Sequence, residues 1–382
     1  MPDVSEKILF VTNDFGPRAG GIESFIIGLI EHLPHSSTTV YTSSQGDTRD
    51  YDATWLLNYG VRVIRDRARV LLPSPGTTHR IVRLLEREQS KIVVFGAAAP
   101  LGLMAHSLRR AGARRIVALT HGHEVWWAKL FPFTLALRRI GSETDALTYL
   151  GEYTRSAIAS VLAPKAADAM VKLAPGIDIE HFAPMDSSML RESLGLTDKR
   201  VIVCVGRLVH RKGQDRLIQA MAAIVKEIPQ VHLLLIGEGP YEAHLRNLVG
   251  KFSLNDHITF IGRIHYADLP SYICVGEIFA MPARSRFFGL EVEGLGIVYL
   301  EASACGLPVI AGRSGGAPDA VIDGTTGLVI DGTDSTAIAE AVIDLLSHPQ
   351  RSQQMGQAGR SWILEKWSWQ IWAGRFEELI NK

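Results

Sequence analysis

The sequence has few cysteines, no net charge and no long apolar segment. Its 382 residues include three cysteines, Cys204, Cys274 and Cys305, far apart and without His or Cys at metal-ligand spacing. We therefore expect neither a disulfide framework nor a zinc site, and we expect a reducing cytoplasm. Forty basic residues balance forty acidic ones, which argues against a chain that coats nucleic acid.

The apolar runs are too short to cross a bilayer. The longest weakly polar stretch, Ile92 to Ala105, is interrupted by Pro100, whereas a spanning helix needs about twenty apolar residues. The first fourteen residues carry Asp3 and Glu6 around a short apolar run, which predicts a first strand rather than a signal peptide. We expect a protein that is soluble or at most bound to a membrane surface.

The charge is unevenly distributed along the chain. Residues 1–176 hold 21 basic and 16 acidic side chains, and residues 177–382 hold 19 and 24. The excess is greatest in residues 57–115, with 12 basic and 3 acidic side chains. This asymmetry predicts an anionic partner for the first half of the chain.

Short β-branched runs alternate with amphipathic helical patterns, which is typical of parallel α/β units. Two sets of six strands indicate two doubly wound sheets rather than one (β/α)₈ barrel. Pro and Gly residues interrupt the pattern near Leu173–Arg200. We expect a first domain over residues 1–174, a linker over 175–199, a second domain over 200–358 and a C-terminal helix over 359–382 that packs on either domain, a return to the first being one option. The predicted strands are Lys7–Thr12, Thr38–Tyr41, Val61–Ile64, Lys91–Phe95, Ile116–Leu119, Ala146–Tyr149, Val201–Val205, His232–Ile236, Ile258–Ile261, Ile278–Met281, Pro308–Ala311 and Gly327–Ile330.

A glycine pair follows the first strand. Gly20 and Gly21 precede a predicted helix, so the backbone can approach a ligand closely and the helix start offers free N–H groups to an anion. The pattern is not the G-x-G-x-x-G fingerprint, and we do not infer NAD. The alternative is a simple tight turn.

Two cationic residues follow the first strand of the second half. Arg207 and Lys212 lie between Gly206 and Gly213, at the carboxyl end of a strand, where α/β sheets bind ligands. A guanidinium and an ammonium group there suit a pyrophosphate. The alternative is a solvated basic loop.

Two acids flank a glycine-rich segment. Seven residues separate Glu293 from Glu301; with a helix beginning near Gly294 they would lie about 12 Å apart. That exceeds the roughly 5–9.5 Å of glycosidase carboxylates, so we expect them to hold two ends of one elongated ligand, with N–H groups of Gly294 and Gly296 between them. The alternative is two solvated acids.

Two further polar segments contain residues that could take part in a site. His121 follows a predicted strand, close to His123 and Glu124, and a His there can position a hydroxyl group or stabilise charge. A structural histidine is the alternative. The Asp50–Asp52 segment resembles a metal-binding Asp-x-Asp, but we interpret it as a solvated turn because no further ligands accompany it.

Basic and aromatic residues indicate a membrane surface as partner. On the predicted helix Thr77–Gln89, Arg80, Arg83 and Arg87 share one face, and Trp126 and Trp127 form part of an aromatic segment with a Lys. Cations beside an amphipathic face and exposed aromatic rings favour interfacial binding. The alternative is an ordinary surface helix and a buried aromatic loop.

Five motifs occur in a fixed order along the chain: Gly20-Gly21-Ile22-Glu23, Pro175-Gly176-Ile177-Asp178, Gly206-Arg207 with Lys212-Gly213, Glu293-Gly294-Leu295-Gly296 with Glu301, and Gly306-Leu307-Pro308-Val309 with Gly315-Gly316. Together they closely resemble the family-4 retaining glycosyltransferases of the GT-B fold. Within that family, the chain is most similar to actinobacterial GDP-mannose-dependent phosphatidylinositol mannoside α-mannosyltransferases. Asp319 departs from the pattern, since many relatives carry Glu there.

The resemblance implies a fold and an activity. It implies two Rossmann-like domains that face each other across a cleft, and a hexosyltransferase that moves mannose from GDP-mannose to a phosphatidylinositol mannoside with an α-mannosidic product. No tightly bound cofactor, metal or nucleic acid is implied. The enzyme would be cytoplasmic and peripherally associated with the inner face of the plasma membrane. The alternatives are a soluble GT-B enzyme with another nucleotide sugar and a small acceptor, a GT-B isomerase, and a non-catalytic two-domain sugar-binding protein.

The resemblance also implies roles for single residues. Arg207 and Lys212 would bind the diphosphate, Glu293 the sugar hydroxyls and Glu301 the ribose. His121 would lie near the transferred sugar. Because no residue stands out as a covalent nucleophile, we favour a front-face reaction in which the leaving phosphate takes the acceptor's proton. The other implied donor contacts are Gly20 and Gly21 at the diphosphate, Gly294, Leu295, Gly296 and Ile297 at sugar and phosphate, and Arg263 and Ile264 at the base.

Overall fold

The chain forms two compact units. The structure, a computed structural model, describes residues 6–18, 20–33 and 37–382. The first unit is the chain up to Gly176 together with Trp369–Lys382, and the second is Ile177–Ser368. Each unit is built around its own parallel sheet.

The first unit contains, within its described residues, a seven-stranded parallel sheet of order β3-β2-β1-β4-β5-β6-β7. The central strands are buried on both faces, as expected for a parallel sheet covered by helices. Its strands are β1 (Ile8–Thr12), β2 (Thr38–Thr42), β3 (Arg62–Arg65), β4 (Ile92–Phe95), β5 (Arg115–Ala118), β6 (Ala146–Tyr149) and β7 (Val171–Lys172). Its first helices are α1 (Gly21–Glu31), α2 (Arg49–Tyr59), α3 (Pro75–Glu88), α4 (Ala105–Arg110), α5 (Glu124–Lys129), α6 (Phe133–Glu143), α7 (Glu152–Ala159) and α8 (Pro164–Asp168).

The second unit has a six-stranded parallel sheet of order β10-β9-β8-β11-β12-β13. Both sheets are doubly wound, because successive strands add first to one side of a central strand and then to the other. Its strands are β8 (Arg200–Val205), β9 (Val231–Ile236), β10 (Ile258–Gly262), β11 (Ile278–Met281), β12 (Val309–Gly312) and β13 (Gly327–Ile330). The helices are α9 (Ser188–Ser193), α10 (Gln214–Glu227), α11 (Glu242–Lys251), α12 (Leu269–Cys274), α13 (Ile297–Ala304), α14 (Ser335–Ser347) and α15 (Pro349–Lys366), followed by α16 (Trp369–Ile380).

The predicted α/β class with two doubly wound sheets is confirmed. All twelve predicted strands are present, and their ends differ from the predictions by at most one residue. The sequence interpretation missed β7, because two residues are too short to show a period. It was also wrong about Asp50–Asp52, which begin α2 instead of forming a turn. Asp52 Oδ1 lies 2.7 Å from Arg65 Nη2, so a partner thirteen residues away holds this acid in a helix.

The C-terminal helix α16 belongs to the first unit. The ring of Phe376 lies 5.9 Å from that of Phe10 in β1, and Arg115 in β5 donates a hydrogen bond of 2.8 Å to the Leu379 carbonyl. Gly28 in α1 gives room for Trp369, because a Cβ at Gly28 would come within 2.1 Å of its ring. The helix thus completes the core of the first unit.

The second unit begins and ends at neighbouring points. The Ile177 N–H donates to the Trp367 carbonyl at 2.7 Å, and Ile177 pairs with Ser368 in a parallel bridge. Its two chain ends therefore lie side by side.

Candidate active site

Several residues singled out in the sequence follow the carboxyl ends of strands where a sheet reverses its order, among them Gly20, Arg207, Lys212 and Glu293. In the second unit the reversal lies between β8 and β11, and in the first between β1 and β4. A crevice forms outside the sheet at such a reversal because neighbouring connections leave on opposite faces. Loops after β8, β11 and β12 supply the candidate donor site.

Lys212 is buried just after β8. It ends a short 3₁₀ turn, His210–Lys212, and its Nζ lies 2.9 Å from Glu293 Oε2. Gly213 then turns the chain into α10 with a φ of +77°, and a Cβ there would meet the Pro282 carbonyl oxygen at 1.9 Å. The turn therefore requires glycine and fixes the lysine beside the loop that follows β11.

Glu293 lies in that loop, with its backbone held by the segment after β12. Its N–H donates to Ser314 Oγ at 3.3 Å, and its carbonyl accepts from the Gly316 N–H at 2.8 Å. Its buried Oε2 forms the ion pair with Lys212 but accepts no well-aligned hydrogen bond within the described residues. The carboxylate therefore keeps acceptor capacity for a ligand hydroxyl.

Glu301 lies on α13, which begins later than predicted. The helix starts at Ile297, not near Gly294, because Gly296 has a φ of +79° and ends the extended loop. The prediction of about 12 Å between the two acids assumed the earlier start and does not apply. Burial raises the pKa of Glu301 to about 7, and the positive charge of Lys212 acts in the opposite direction. Lys212 therefore interacts with both Glu293 and Glu301.

Arg207 differs from Lys212 in being exposed. It follows β8 directly, and no ion pair is formed by its guanidinium among the described residues. Its carbonyl accepts a hydrogen bond of 3.3 Å from Gln214 Nε2. Its charge remains available to an anionic ligand.

A buried ion pair that the sequence did not reveal braces this site. Arg284 Nη2 donates to Asp215 Oδ2 at 2.9 Å, and the Arg284 N–H donates to the Arg211 carbonyl at 2.8 Å. The pair joins the loop that carries Glu293 to the segment that carries Lys212. The partners are 69 positions apart in the sequence, so no local pattern signals the contact.

Buried polar atoms without a hydrogen-bond partner are grouped around Lys212. Such atoms are rare in native proteins because each one loses its hydration without compensation. Several of them close together are typical of a site that binds a polar ligand or ordered water. On Glu293 and on the residues around Lys212 and Arg284 these atoms are Arg211 Nε, Gln214 Oε1, Asp215 Oδ1, Arg216 Nε, Arg284 Nη1 and Glu293 Oε2; others, such as Thr38 Oγ1 and Ser90 Oγ, lie in the first unit.

The remaining donor candidates lie in the same unit. Leu295 and Gly296 are buried, and Gly294 and Ile297 are half-buried beside them. The Gly294 carbonyl packs so closely on Gly316 that a Cβ at Gly316 would come within 2.1 Å of it. In contrast, the Arg263–Ile264 pair follows β10 at the edge of the sheet.

His121 is buried near the carboxyl end of β5 in the first unit. Its Nε2 lies 2.5 Å from the Gly96 carbonyl oxygen; since a carbonyl only accepts, Nε2 carries the proton and Nδ1 is left as an acceptor. Burial lowers the pKa of His121, although Glu124 opposes this effect. The ring is therefore neutral at pH 7 and can accept a hydrogen bond from a sugar hydroxyl.

Gly20 and Gly21 open α1 in the first unit. Gly20 is extended, and a Cβ there would meet Glu23 Oε2 at 2.3 Å. Glu23 is buried, and its Oε1 lies 2.6 Å from Arg18 Nε. No side chain caps this helix start within the described residues, so its first N–H groups can meet a ligand.

The predicted basic helix α3 borders a cleft of about 800 Å³. Arg80 forms an ion pair within the protein, because its Nε lies 2.8 Å from the buried carboxylate of Asp66. Arg83 and Arg87 are exposed, and Arg87 pairs with Glu88 at 3.0 Å. The lining residues are Tyr41, Ile64, Arg65, Asp66, Arg67, Ala68, Arg80, Arg83, Leu84 and Arg87.

The aromatic segment places its tryptophans differently from the prediction. Trp126 and Trp127 are half-buried and pack on the Phe133 ring, with centroids 4.8 and 5.0 Å away. The strongly exposed apolar side chain here is Phe131, at 79%. The sequence marks the segment, but tertiary packing decides which ring is exposed.

Two features are absent from the described residues, a membrane-spanning helix and a metal-binding cluster. None of their helices combines the length and apolar character that a membrane crossing requires. Their His, Cys, Asp and Glu side chains nowhere form a group of three or more able to hold a metal ion.

Two family models match the chain. The model described as Glycosyl transferases group 1 matches residues 186–362, and the model described as Glycosyltransferase Family 4 matches residues 19–181. Each match corresponds to one predicted half of the chain.

Full-length relatives share nearly half of the residues. A GDP-mannose-dependent alpha-(1-6)-phosphatidylinositol monomannoside mannosyltransferase of Mycolicibacterium smegmatis is 46% identical over 98% of both chains. A GDP-mannose-dependent monoacylated alpha-(1-6)-phosphatidylinositol monomannoside mannosyltransferase of Corynebacterium glutamicum is 44% identical over 99% of this chain and 98% of that one.

Solved structures share the fold at lower identity. Anabaena HepE in complex with UDP has a TM-score of 0.82 at 20% identity, covering 98% of this chain and 99% of that one. Sucrose-phosphate synthase from Thermosynechococcus elongatus has a TM-score of 0.76 at 22% identity, covering 98% of each chain. The chain belongs to the family-4 glycosyltransferases, with the GT-B fold.

Proposed function

We propose that the protein transfers a mannosyl residue from GDP-mannose to a phosphatidylinositol monomannoside with an α-(1-6) linkage. The observation that carries the proposal is buried Lys212, in an ion pair with Glu293 and interacting with Glu301 at the carboxyl end of β8. Relatives named as GDP-mannose-dependent phosphatidylinositol monomannoside mannosyltransferases are 44–46% identical over nearly the whole chain.

The second unit supplies the chemistry for a nucleoside diphosphate sugar. Lys212 and exposed Arg207 would bind the diphosphate, Glu293 a sugar hydroxyl and Glu301 the ribose. The start of α13 adds N–H groups and a partial positive charge. These groups stabilise the negative charge that develops as the diphosphate leaves, without demanding a metal.

Neutral His121 would accept a hydrogen bond from the transferred sugar, through the Nδ1 that its contact with Gly96 leaves unprotonated. We retain the front-face route, in which the leaving phosphate takes the acceptor's proton and the configuration is retained. Trapping a covalent mannosyl-enzyme would contradict that route.

The donor proposal is tested by binding and turnover. We expect calorimetry to rank GDP-mannose above UDP- and ADP-sugars, and radiolabelled mannose to appear on the monomannoside lipid. Lys212→Ala is expected to lower kcat by about 10²–10³-fold, the usual effect of removing one charge-stabilising group. Lys226→Ala, an exposed lysine on the following helix, is the matched control.

Contrary outcomes are equally clear. Undiminished turnover in Lys212→Ala would remove that residue from the site. Preference for another nucleotide sugar and a small soluble acceptor would favour a soluble enzyme of this fold. Ligand binding without any transfer would favour a sugar-binding protein.

We further propose that the first unit meets an anionic membrane surface through α3 and the loop before it. Arg83, Arg87 and exposed Arg67 provide charge, and Val70 and Leu72 are exposed beside them. Basic groups near an anionic leaflet contribute about 1 kcal/mol each. Basic and apolar groups together suit an interface that is both charged and apolar.

Vesicle binding tests this contact. Reversing Arg83 and Arg87 to Glu is expected to weaken binding to phosphatidylinositol-containing vesicles by at least about 10-fold, with the effect declining at high salt. Arg80 is left intact because its loss would strand buried Asp66. Arg246→Glu, on a helix of the second unit, is the control. Equal binding by all three proteins would contradict the proposal.

A further inference from the structure

A short hairpin precedes the donor loop in the second unit. The Arg286 N–H donates to the Glu291 carbonyl at 2.8 Å, and Arg286 Nη1 lies 3.1 Å from Glu291 Oε2. These contacts close the base of a turn whose tip is Phe287–Gly289. Glu293 follows immediately after the hairpin.

The two phenylalanines at the tip have an unfavourable backbone conformation. Phe287 and Phe288 have φ angles of +48° and +55°, in the left-handed region where a Cβ crowds the backbone and glycine is preferred. Their exposures are 61% and 105%, so both rings present apolar surface to solvent at a strained point of the backbone. Glycine at both positions would remove strain and apolar exposure together.

Strain of this kind persists where it serves a function. A cation lies at the base of the hairpin, because the Arg286 guanidinium, which also pairs with Glu291, lies 4.6 Å from the centre of the Phe287 ring. Aromatic rings with a cation at their base are suited to the boundary between lipid headgroups and acyl chains, where apolar and charged surfaces meet.

The position of the tip relative to the donor loop fits a lipid acceptor. Five residues lead from Phe288 to Glu293, so the fully extended chain would span at most about 18 Å. The headgroup layer is about 5–8 Å thick on each side of a bilayer. Rings at the acyl boundary would therefore leave Glu293 within reach of a sugar on a lipid headgroup.

We infer that Phe287 and Phe288 insert into the membrane interface and dock the second unit where the lipid acceptor lies. The inference rests on the proposed lipid acceptor. It adds a membrane contact in the second unit to the basic surface proposed for the first.

The test combines Phe287→Gly and Phe288→Gly in one protein. Vesicles of phosphatidylcholine and phosphatidylinositol are sedimented with it, and we expect the partition coefficient to fall at least about 10-fold, since two rings are removed. The melting temperature should stay equal or rise, because glycine relieves the backbone. Met189→Ala, which removes an exposed apolar side chain elsewhere in the same unit, should leave partition unchanged. Trp at both positions should restore it.

Transfer assays separate this inference from the proposed function. The Gly/Gly protein should lose activity on monomannoside lipid embedded in vesicles and keep activity on a short-chain acceptor dispersed in water. Unchanged partition, an equal loss on both acceptors, or a change of oligomeric state in sedimentation would each overturn the inference. Vesicle binding that needs the two rings, in a protein that transfers nothing to either acceptor, would instead overturn the proposed function.

Discussion

At the scale of single residues, Glu301 titrates near neutral pH. Burial raises its pKa from 4.5 to about 7, and Lys212 limits the shift. A protonated carboxyl can donate as well as accept a hydrogen bond, whereas a carboxylate only accepts. The group proposed to hold the ribose therefore changes its hydrogen-bonding character within the physiological pH range.

Glu301 is expected to make stability depend on pH. The pKa of Glu301 is raised on folding, so the folded state favours the protonated side chain. Its contribution to the free energy of unfolding is therefore full below pH 4.5 and is lost as pH rises through about 7. Raising the pKa from 4.5 to about 7 corresponds to about 3 kcal/mol of stability. Urea denaturation at pH 5 and pH 8 measures this effect. Between these pH values the free energy of unfolding of the wild-type protein should fall by an amount of that order more than that of Glu301→Gln. The same pH dependence in both proteins would contradict the assignment.

The sequence reveals single site residues when the signal is local. Arg207 and Lys212 follow a strand within seven residues, and Glu293 stands beside glycines, so position along the chain suffices. Arg284 and Asp215 are different, because neither has an unusual neighbour and only the fold brings them together. Their ion pair was therefore invisible in the sequence.

At the scale of elements, the β8–α10 connection is the tightest turn of the donor site. Gly213 turns the chain immediately after Lys212 while its Cα faces the Pro282 carbonyl. The turn fixes where the lysine points by holding two loops in backbone contact. The cost of crowding at this turn can be measured by comparison with a second glycine, which also has a positive φ but has open space around it.

Gly213→Ala should destabilise the protein more than Gly195→Ala. Both positions have positive φ angles, +77° and +68°, but nothing lies within 4 Å of a Cβ at Gly195. We expect about 1 kcal/mol for Gly195→Ala from conformation alone, and about 3 kcal/mol for Gly213→Ala, where overpacking adds to it. Chemical denaturation measures the difference. Equal effects would show that the turn adapts without cost.

Elements are predictable where local pattern and fold agree. Runs of β-branched residues predict the buried strands, because parallel sheets are apolar on both faces. Helix α2 does not, since its Asp residues favour turns and contacts with Arg65 and the burial of Trp55 outweigh that preference. The start of α13 was misjudged because the left-handed Gly296 delays it.

At the scale of the whole molecule, α16 ties the end of the chain to its beginning. The helix follows the second unit in sequence but packs on β1 and β5 of the first. The sequence left its location open because its apolar face suits either unit. Gly28 is a sequence signal of this contact. It is a glycine inside a helix, and the Trp369 ring occupies the space that a side chain at this position would need.

Removing the Phe376 ring should therefore weaken the first unit selectively. The ring is fully buried against Phe10, and loss of a buried phenylalanine costs about 3–5 kcal/mol. In Phe376→Ala, hydrogen exchange should accelerate at amides of β1 and β5 and stay unchanged in β8 and β9. Leu364→Ala, an exposed position on α15, is the control. Equal acceleration in both sheets would contradict the division of the chain.

The side-by-side ends of the second unit have a genetic consequence. With Ile177 paired to Ser368, the unit that carries the candidate donor site resembles an insert whose termini meet, an arrangement that tolerates exchange between homologues. A single crossover between two homologous genes would combine the first half of one protein with the helix α16 of the other. Natural or laboratory shuffling of donor specificity should accordingly succeed with a cassette bounded by two junctions, near 176/177 and 368/369, and fail with one.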